Sequence, residues 1–324
     1  MTRFSLIIVM PVYNDLHTAN ALLKQIDQVL VNAPIVARVI LLDDGSRQPI
    51  KADELEGPFK SIAAVEPLRM RRNLGHQRAI AVGLVHIYKE LTCDAILVMD
   101  ADGQDKPEDI LRLVQRFQET AGEKIIFAER TKRSENLTFR VFYQSYRLLH
   151  RVLTGIPVRV GNFSIIPFGC LSCLVVVSEL WSHYAAAVFK VRLPHESIPM
   201  ERNPRLSGES KMNFVALLAH GLRALSVFSE TVAIRFLLFF SFLFLSVGGL
   251  AILMGIISAT TSVTMAPWAI WFMGLLLATL MLIVMVAGGV VFFVMNNRSR
   301  QIFLPIRDCG YFILNPKRTC PTNE

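Results

Sequence analysis

The sequence has few cysteines and lacks the glycine pattern of dinucleotide-binding proteins. Only five of its 324 residues are cysteine, an odd number that favours free thiols over a disulfide framework. Cys170 and Cys173 form one CxxC pattern, but because no second pair follows, apolar packing is favoured over a zinc site. No G-x-G-x-x-G follows the first apolar segment, which excludes a dinucleotide-dependent dehydrogenase.

Two long stretches are almost without charge. Residues 232–259 carry one charge, that of Arg235, and residues 265–295 carry none. Each stretch exceeds the roughly 20 apolar residues that cross a bilayer, so the sequence predicts a transmembrane hairpin. Basic residues flank the hairpin and are absent from its link, which predicts that both termini lie in the cytoplasm: Arg223, Arg235, Arg298 and Arg300.

The remaining composition is that of a basic protein with an ordinary core. Hydrophobic residues make up 52% of the chain, and the mean hydropathy of +0.43 is raised by the two uncharged stretches. The net charge of +8 fits a protein that rests on anionic membrane lipids and does not require nucleic acid. The apolar segment at the N-terminus is too short for a span and has no small-residue cleavage pattern, so we expect a strand there.

Apolar segments alternate with segments of helical length in the first part of the chain. Such alternation predicts an α/β fold with a largely parallel sheet that is covered by helices on both faces. The predicted strands are 4–10, 36–42, 61–66, 95–99 and 124–128, and the predicted helices include 15–31, 76–91 and 107–119.

Carboxylates are crowded after the fourth of these strands. Asp100, Asp102 and Asp105 lie within six residues, at the carboxyl end of a strand, where open α/β sheets bind their ligands. Carboxylate pairs of this kind hold Mg²⁺ or Mn²⁺, with substrate phosphates completing the metal shell. Capping of the next helix accounts for Asp105, but it leaves Asp100 and Asp102 unexplained.

Five motifs in order carry a resemblance to a known family. They are "VMPVYND", "LLDDGS", "RRNLGHQRAIAVGL", "VMDADGQDKPEDI" and "RLSGESKMNF", and together they resemble the family 2 glycosyltransferases of GT-A fold, above all the polyprenyl-phosphate sugar transferases. The resemblance covers residues 4–215 and implies a Rossmann-like, mostly parallel sheet with helices on both faces. With the uncharged stretches it implies five parts: a GT-A catalytic domain at 1–211, an interfacial amphipathic helix at 212–230, transmembrane helices at 231–259 and 266–295, and a basic cytoplasmic tail at 296–324.

The resemblance also implies roles for individual residues. The nucleotide-sugar donor would be bound by Pro11, Tyr13, Asn14, Asp43, Asp44, Asn73, Gly75, Gln77, Asp100, Ala101 and Asp102. Mg²⁺ or Mn²⁺ would be bound by the DxD motif and its neighbour, namely Asp100, Asp102 and Gln104. The acceptor phosphate would be held by Arg130, Arg140, Arg205 and Lys211; the alternatives are a solvated or lipid-facing basic stripe for Arg140 and a membrane-surface anchor for Lys211.

The implied reaction is inverting transfer of one sugar to a polyprenyl phosphate such as undecaprenyl phosphate, at the bacterial inner membrane, for the cell envelope. The Q-x-x-R-W motif of processive synthases is absent, and Asn162 stands where relatives that act on hydroxyls often have an acid. Two alternatives stay open: transfer to a lipid hydroxyl, which would need a general base, and a non-catalytic membrane module that binds nucleotide-sugars. The expected partners are donor, acceptor and membrane lipids; the sugar, the nucleotide, the polyprenyl length and homo-oligomer formation are left open.

Overall fold

The computed structural model describes residues 3–130, 137–156, 160–206, 221–261, 267–298 and 303–314, with the backbone alone at 130, 137–143, 145–146, 267–268 and 295–298. Its strands are β1 (Phe4–Val12), β2 (Ile35–Asp43), β3 (Ile62–Arg69), β4 (Ala95–Val98), β5 (Ile125–Arg130), β6 (Val160–Pro167) and β7 (His195–Met200). Its helices are α1 (Leu16–Leu30), α2 (His76–Glu90), α3 (Glu108–Glu119), α4 (Leu137–Thr154), α5 (Leu171–Leu174), α6 (Tyr184–Lys190), α7 (Ser229–Thr260), α8 (Pro267–Arg298) and α9 (Pro305–Asp308).

The strands form one sheet in the order β3-β2-β1-β4-β6-β5-β7. All neighbouring pairs are parallel except those of β6, which runs antiparallel to β4 and β5, so the predicted α/β sheet is confirmed as a mixed sheet. The five predicted strands are present, whereas β6 and β7 were not predicted. Polar residues interrupt the apolar pattern of β6, and β7 is an edge strand of which only Met200 is buried.

Helices cover both faces of the sheet. Along β1, Leu6, Ile8 and Met10 pack with α1 and α3, and the alternate residues Ile7 and Val9 pack with α2, α5 and α6. This arrangement follows from the two-residue period of a strand that is buried on both sides. The order of strands reverses at β1, because β2 and β4 lie on its two sides. The carboxyl ends of β1 and β4 therefore meet at the place where such sheets bind ligands.

The chain divides into two compact units. The first contains residues 1–142, 158–227 and 303–324, and the second contains residues 143–157 and 228–302. The first unit thus holds the sheet and also part of the predicted C-terminal tail. There the ring of Trp181 lies 4.4 Å from that of Phe303 and 4.8 Å from that of Phe312, which explains why this part of the tail belongs with the sheet.

The second unit is built on two apolar helices that pack on each other. The segments Ser229–Thr260 and Ala269–Val294 have mean hydropathies of 2.5 and 2.7 and are long and apolar enough to cross a membrane. They overlap the stretches 231–259 and 266–295 that were predicted as spans, and their crossing of a membrane stays a prediction. Residues 221–226 of the predicted interfacial helix are helical, and residues 212–220 lie outside the described residues.

Candidate active site

The ends of β1 and β2 are tied together by the predicted donor residue Asn14. Its backbone N–H donates to Ser46 Oγ at 2.9 Å, and its side-chain Oδ1 accepts the N–H of Arg47 at 2.8 Å. Of the neighbouring residues predicted to line the donor pocket, Tyr13 is exposed and Pro11 is half-buried. These residues therefore form a surface at the carboxyl edge of the sheet that a ligand can reach.

Asp43 and Asp44 end β2 with buried carboxylates that bind backbone groups. Asp43 accepts the N–H of Ser46 at 2.8 Å and that of Ile50 at 3.4 Å. The two oxygens of Asp44 accept the N–H groups of Leu74 at 2.7 Å and Gly75 at 2.9 Å. Burial raises the pKa of Asp44, and these two donors offset part of the rise.

The loop after Asp44 depends on a glycine. Gly45 has a φ of +72°, and a Cβ at this position would lie 2.5 Å from the backbone carbon of Arg72. Only glycine combines this backbone conformation with so close an approach. The loop after β2 is thereby packed directly on the segment that carries Asn73, which is exposed. Asp43, Asp44, Asn73 and Gly75 thus lie close together, and their contact with the donor stays a prediction.

The DxD motif follows β4 in a turn. Asp102 closes the turn by accepting the N–H of Gln104 at 3.0 Å through Oδ1. Gly103 has a φ of +73°, and a Cβ there would lie 2.3 Å from Cγ of Leu206. The backbone O of Asp102 in turn accepts the N–H of Leu206 at 3.2 Å. Residues 201–206 therefore lie directly against the DxD turn.

Two arginines of this segment contact the acidic turn. Arg205 lies with Nη2 3.1 Å from Oδ2 of Asp102. Arg202 reaches Asp100 at 3.7 Å, Asp105 at 3.2 Å and the side-chain oxygen of Gln104 at 2.8 Å. Arg205 was predicted to bind the acceptor phosphate, and in this structure its guanidinium faces the DxD motif. Arg202 was not predicted, although its spacing of three residues from Arg205 was a signal for it.

The electrostatics of the turn favour a bound cation. Burial raises the pKa of Asp102, the negative charge of Asp100 raises it further, and the Gln104 N–H and the two arginines oppose the rise. Crowded carboxylates of this kind are stabilised by positive charge, which Arg202 and Arg205 supply here. The carboxylates of Asp100 and Asp102, together with Gln104, offer the hard oxygen ligands that Mg²⁺ and Mn²⁺ prefer. The donor set fits such an ion.

A metal ion at the DxD turn would need oxygens of the substrate as further ligands. Among the described residues, no group of three or more His, Cys, Asp or Glu side chains could hold a metal ion by itself. A site of two carboxylates completed by a diphosphate is typical of Mg²⁺. The CxxC pair is not such a group: both of its cysteines are free, as are the other two in the described ranges.

Gln77, predicted to bind the donor, is buried and bonded at both ends. Its Nε2 donates to Oδ1 of Asn162 at 2.8 Å, and its Oε1 accepts the N–H of Tyr184 at 2.8 Å. Asn162 donates in turn from Nδ2 to Oδ1 of Asp100 at 3.4 Å. Gln77 therefore lies two hydrogen bonds behind the DxD motif, and a direct contact with donor stays a prediction.

The structure describes no side chain for three of the predicted acceptor-phosphate residues. The backbone of Arg130 ends β5 and that of Arg140 lies in α4, but neither side chain is among those described, and Lys211 lies outside the described residues. Their roles, like that of Arg205, stay predictions. Ala101, between the two DxD carboxylates, is buried.

Comparison with known proteins identifies a family and several similar sequences. The family model "Glycosyl transferase family 2" matches residues 7–174. The chain is 26% identical to an uncharacterized glycosyltransferase, YkcC, of Bacillus subtilis (strain 168) over 69% of this chain and 68% of that protein. It is 27% identical to the undecaprenyl-phosphate 4-deoxy-4-formamido-L-arabinose transferase of Edwardsiella ictaluri (strain 93-146), over 70% and 72%. It is 26% identical to the bactoprenol glucosyl transferase of Shigella phage SfX, over 68% and 72%.

Solved structures share the fold at low sequence identity. Mannosyl-3-phosphoglycerate synthase from Rubrobacter xylanophilus has a TM-score of 0.50 and 14% identity, over 70% of this chain and 73% of that one. Glucosyl-3-phosphoglycerate synthase from Mycobacterium tuberculosis, in complex with Mn²⁺, UDP-glucose and phosphoglyceric acid, has a TM-score of 0.50 and 16% identity, over 71% and 80%.

Proposed function

The chain belongs to glycosyl transferase family 2, and we propose that it transfers one sugar from a nucleotide-sugar to a polyprenyl phosphate at a membrane surface. The observation that carries the proposal is the acidic DxD turn faced by Arg202 and Arg205. In this turn the carboxylates proposed to hold the metal and the donor diphosphate lie next to two guanidinium groups, which are suited to the phosphate of the acceptor. The named relatives that act on undecaprenyl phosphate and bactoprenol support this choice of acceptor.

The acceptor is proposed to be a phosphate because the β6 residue that contacts Asp100 is an amide and not an acid. This residue is Asn162, and its amide can neither take up a proton nor become an anion. A phosphate oxygen is already a competent nucleophile at neutral pH. It would form a bond to the anomeric carbon from the face opposite the departing diphosphate, whose C–O bond breaks. The electron pair leaves with the diphosphate, so no proton has to move and the configuration inverts.

The residues of the site would then act by position and charge. Asp100, Asp102 and Gln104 would hold Mg²⁺ or Mn²⁺, which supplies positive charge to the leaving diphosphate. Arg205 offers a guanidinium that matches the geometry of a phosphate, and Arg130, Arg140 and Lys211 are proposed to join it. Such groups lower the barrier by orienting the nucleophile and by stabilising the charge that develops on the leaving diphosphate.

The second unit supports a membrane location. Its two apolar helices have the length and hydropathy of membrane spans. On α4, the apolar side chains of Leu148, Leu149 and Val152 lie on one face and are exposed, as expected of a helix in the membrane interface. We propose a two-span anchor with both termini in the cytoplasm, because basic residues flank the hairpin in the sequence and its link has none.

The proposal is tested by sugar transfer with the purified full chain in detergent. A panel of radiolabelled UDP- and GDP-sugars would be incubated with undecaprenyl phosphate and Mn²⁺ or Mg²⁺, with and without a chelator. We expect metal-dependent labelling of the lipid from one donor. Asp102→Asn should abolish it, and Asp53→Asn, which changes an exposed acid outside the site, should not.

The same assay separates the alternatives. Labelling of a hydroxyl lipid such as diacylglycerol, with none of undecaprenyl phosphate, would contradict the proposed acceptor. Binding of a nucleotide-sugar without transfer to any lipid would contradict catalysis and favour the non-catalytic module. Transfer that is unaffected by chelator would contradict the metal site at the DxD turn.

A further inference from the structure

A buried row of hydrogen bonds joins the start of α6 to the DxD motif. The N–H of Tyr184 donates to Gln77, Gln77 donates to Asn162, and Asn162 donates to Asp100. The two amide side chains are 3% and 7% exposed. They come from α2 and from β6, 85 residues apart in sequence, so the row links three elements of the first unit.

The direction of the row is fixed at its far end. A backbone N–H can only donate, so the group of Gln77 that faces Tyr184 must be its oxygen. The NH₂ group of Gln77 then faces Asn162, which must accept this hydrogen bond through its side-chain oxygen. The NH₂ group of Asn162 is left facing Asp100, and an ionised carboxylate can only accept. Every member of the row therefore has one compatible orientation.

The orientation matters because Asp100 stands beside a second carboxylate. Repulsion from Asp102 favours rotation of the Asp100 side chain away from the turn, and a hydrogen bond from a buried amide opposes that rotation. Without Gln77, the amide of Asn162 could turn its oxygen toward Asp100, and the contact would become repulsive.

We propose that Gln77 and Asn162 are positioning residues that hold the Asp100 carboxylate ready for a divalent cation. The inference rests on the proposed function, because it takes the DxD motif as the metal site. It gives Gln77 a role without contact with the donor, and it explains an amide at position 162. An acid there would put a third carboxylate against the pair and would leave Asp100 without a donor.

The inference predicts matched effects from two separate positions. Asn162→Ala removes the donor to Asp100, and Gln77→Leu removes the group that orients Asn162 without touching Asp100. Each should weaken Mn²⁺ binding about tenfold, since partners behind a metal ligand are typically worth 10–100-fold in affinity. Because both act through one contact, the double variant should bind Mn²⁺ no more weakly than Asn162→Ala alone.

The measurement is the loss of the free Mn²⁺ signal in electron paramagnetic resonance, on the purified full chain in detergent, with Tm recorded for each variant. Tyr184→Phe is the matched control: it removes a buried hydroxyl that bonds to Ser164 but keeps the backbone N–H that begins the row. It should lower Tm and keep the affinity of the parent chain for Mn²⁺. If Gln77→Leu does not fold, Gln77→Met, which keeps the length of the side chain, replaces it.

Three results would overturn the inference: unchanged Mn²⁺ affinity in the folded single variants, independent losses that multiply in the double variant, or an equal loss in Tyr184→Phe. Failure of the proposed function gives a different result. A chain that binds Mn²⁺ through this row but transfers no sugar keeps the inference and loses the function. If the parent chain transfers sugar and the variants bind Mn²⁺ as tightly as the parent, the proposed function stands and the inference fails.

Discussion

The two strands on either side of β1 are each followed closely by a pair of carboxylates, and the two pairs are used differently. At the end of β2, Asp43 and Asp44 are buried and accept backbone N–H groups of the adjoining loops. At the end of β4, Asp100 and Asp102 are more exposed, and each faces a long arginine side chain. The two motifs, "LLDDGS" and "VMDADGQD", look equally acidic in the sequence.

The difference lies in whether the partner can leave. A backbone N–H is fixed by the fold, so a carboxylate that accepts it acts as part of the loop framework. A guanidinium on a flexible side chain can be exchanged for another cation at low cost. We infer that the acids after β2 mainly stabilise the structure, and that those after β4 mainly bind ligands.

The largest expected effect that tests this comparison is on activity. Asp102→Asn should lower kcat for sugar transfer about a thousandfold, because removal of one preorganised electrostatic group costs 10²–10³. It should change Tm by no more than about 2 °C, since Arg205 is only a partly exposed partner. The assay is lipid labelling together with differential scanning fluorimetry. A large loss of Tm would show that the acids after β4 are structural as well.

The equivalent change after β2 should act on stability. Asp44→Asn leaves the N–H of Gly75 facing an amide donor in a buried position, at a cost of about 2 kcal/mol. For a unit of this size we expect Tm to fall by about 4–8 °C. Asp53→Asn, on the exposed surface, serves as the control. An unchanged Tm would remove the distinction between the two pairs.

A third carboxylate, that of Asp27, also accepts backbone N–H groups as Asp43 and Asp44 do. Its effect on stability can be tested by changing the pH. Asp27 is buried, which acts to raise its pKa, but the N–H groups of Lys60, Ser61 and Ile62 outweigh burial and hold the pKa below its usual 3.8. Its stabilising effect is therefore present above pH 3.8 and is lost as the pH falls through the lower, folded-state value. Asp27→Asn should lower Tm at pH 7 by about 5 °C.

The Tm difference between the parent chain and Asp27→Asn should shrink as the pH drops below 3.8, because Asp27 becomes protonated first in the unfolded chain and, at lower pH, in the folded chain as well. A difference that stays constant down to pH 3 would mean that the charge of Asp27 has no part in its effect.

The smallest expected effect concerns the exchangeable partner. Arg205→Gln removes the cation that now faces Asp102 and should tighten Mn²⁺ binding about fivefold, the equivalent of about 1 kcal/mol for a partly exposed ion pair. Arg112→Gln, which removes an arginine paired with Asp109 on α3, controls for the change in net charge. Equal Mn²⁺ affinities in both variants and the parent chain would contradict the idea that Arg205 occupies the place of a cation.

The fold could be predicted where the sequence pattern is local. Strands β1 to β5 are short runs of branched apolar residues that alternate with amphipathic helices, and the two apolar helices follow from composition alone. β6 and β7 were not predicted because their pairing is settled by strands far away in sequence. β7 in particular has only one buried residue, Met200, and contains Pro199.

The site could be predicted to a similar degree. The crowding of Asp100 and Asp102 was visible in the sequence, since repulsion between adjacent acids needs an explanation. The contact of Arg202 with Asp105 spans 97 residues, and that of Gln77 with Asn162 spans 85. No local pattern encodes such contacts, so the partners of the acids appear only when the chain is folded.

Gly103 limits which residues can occur together at positions 103 and 206 during evolution. Its missing side chain leaves the space that Leu206 fills, with a Cβ at 103 only 2.3 Å from Leu206 Cγ. A larger residue at 103 therefore requires that the Leu206 side chain turn away, that position 206 become smaller or that its segment move. The two positions share one volume, so we expect them to covary among homologues, large against small, although 103 residues separate them along the chain.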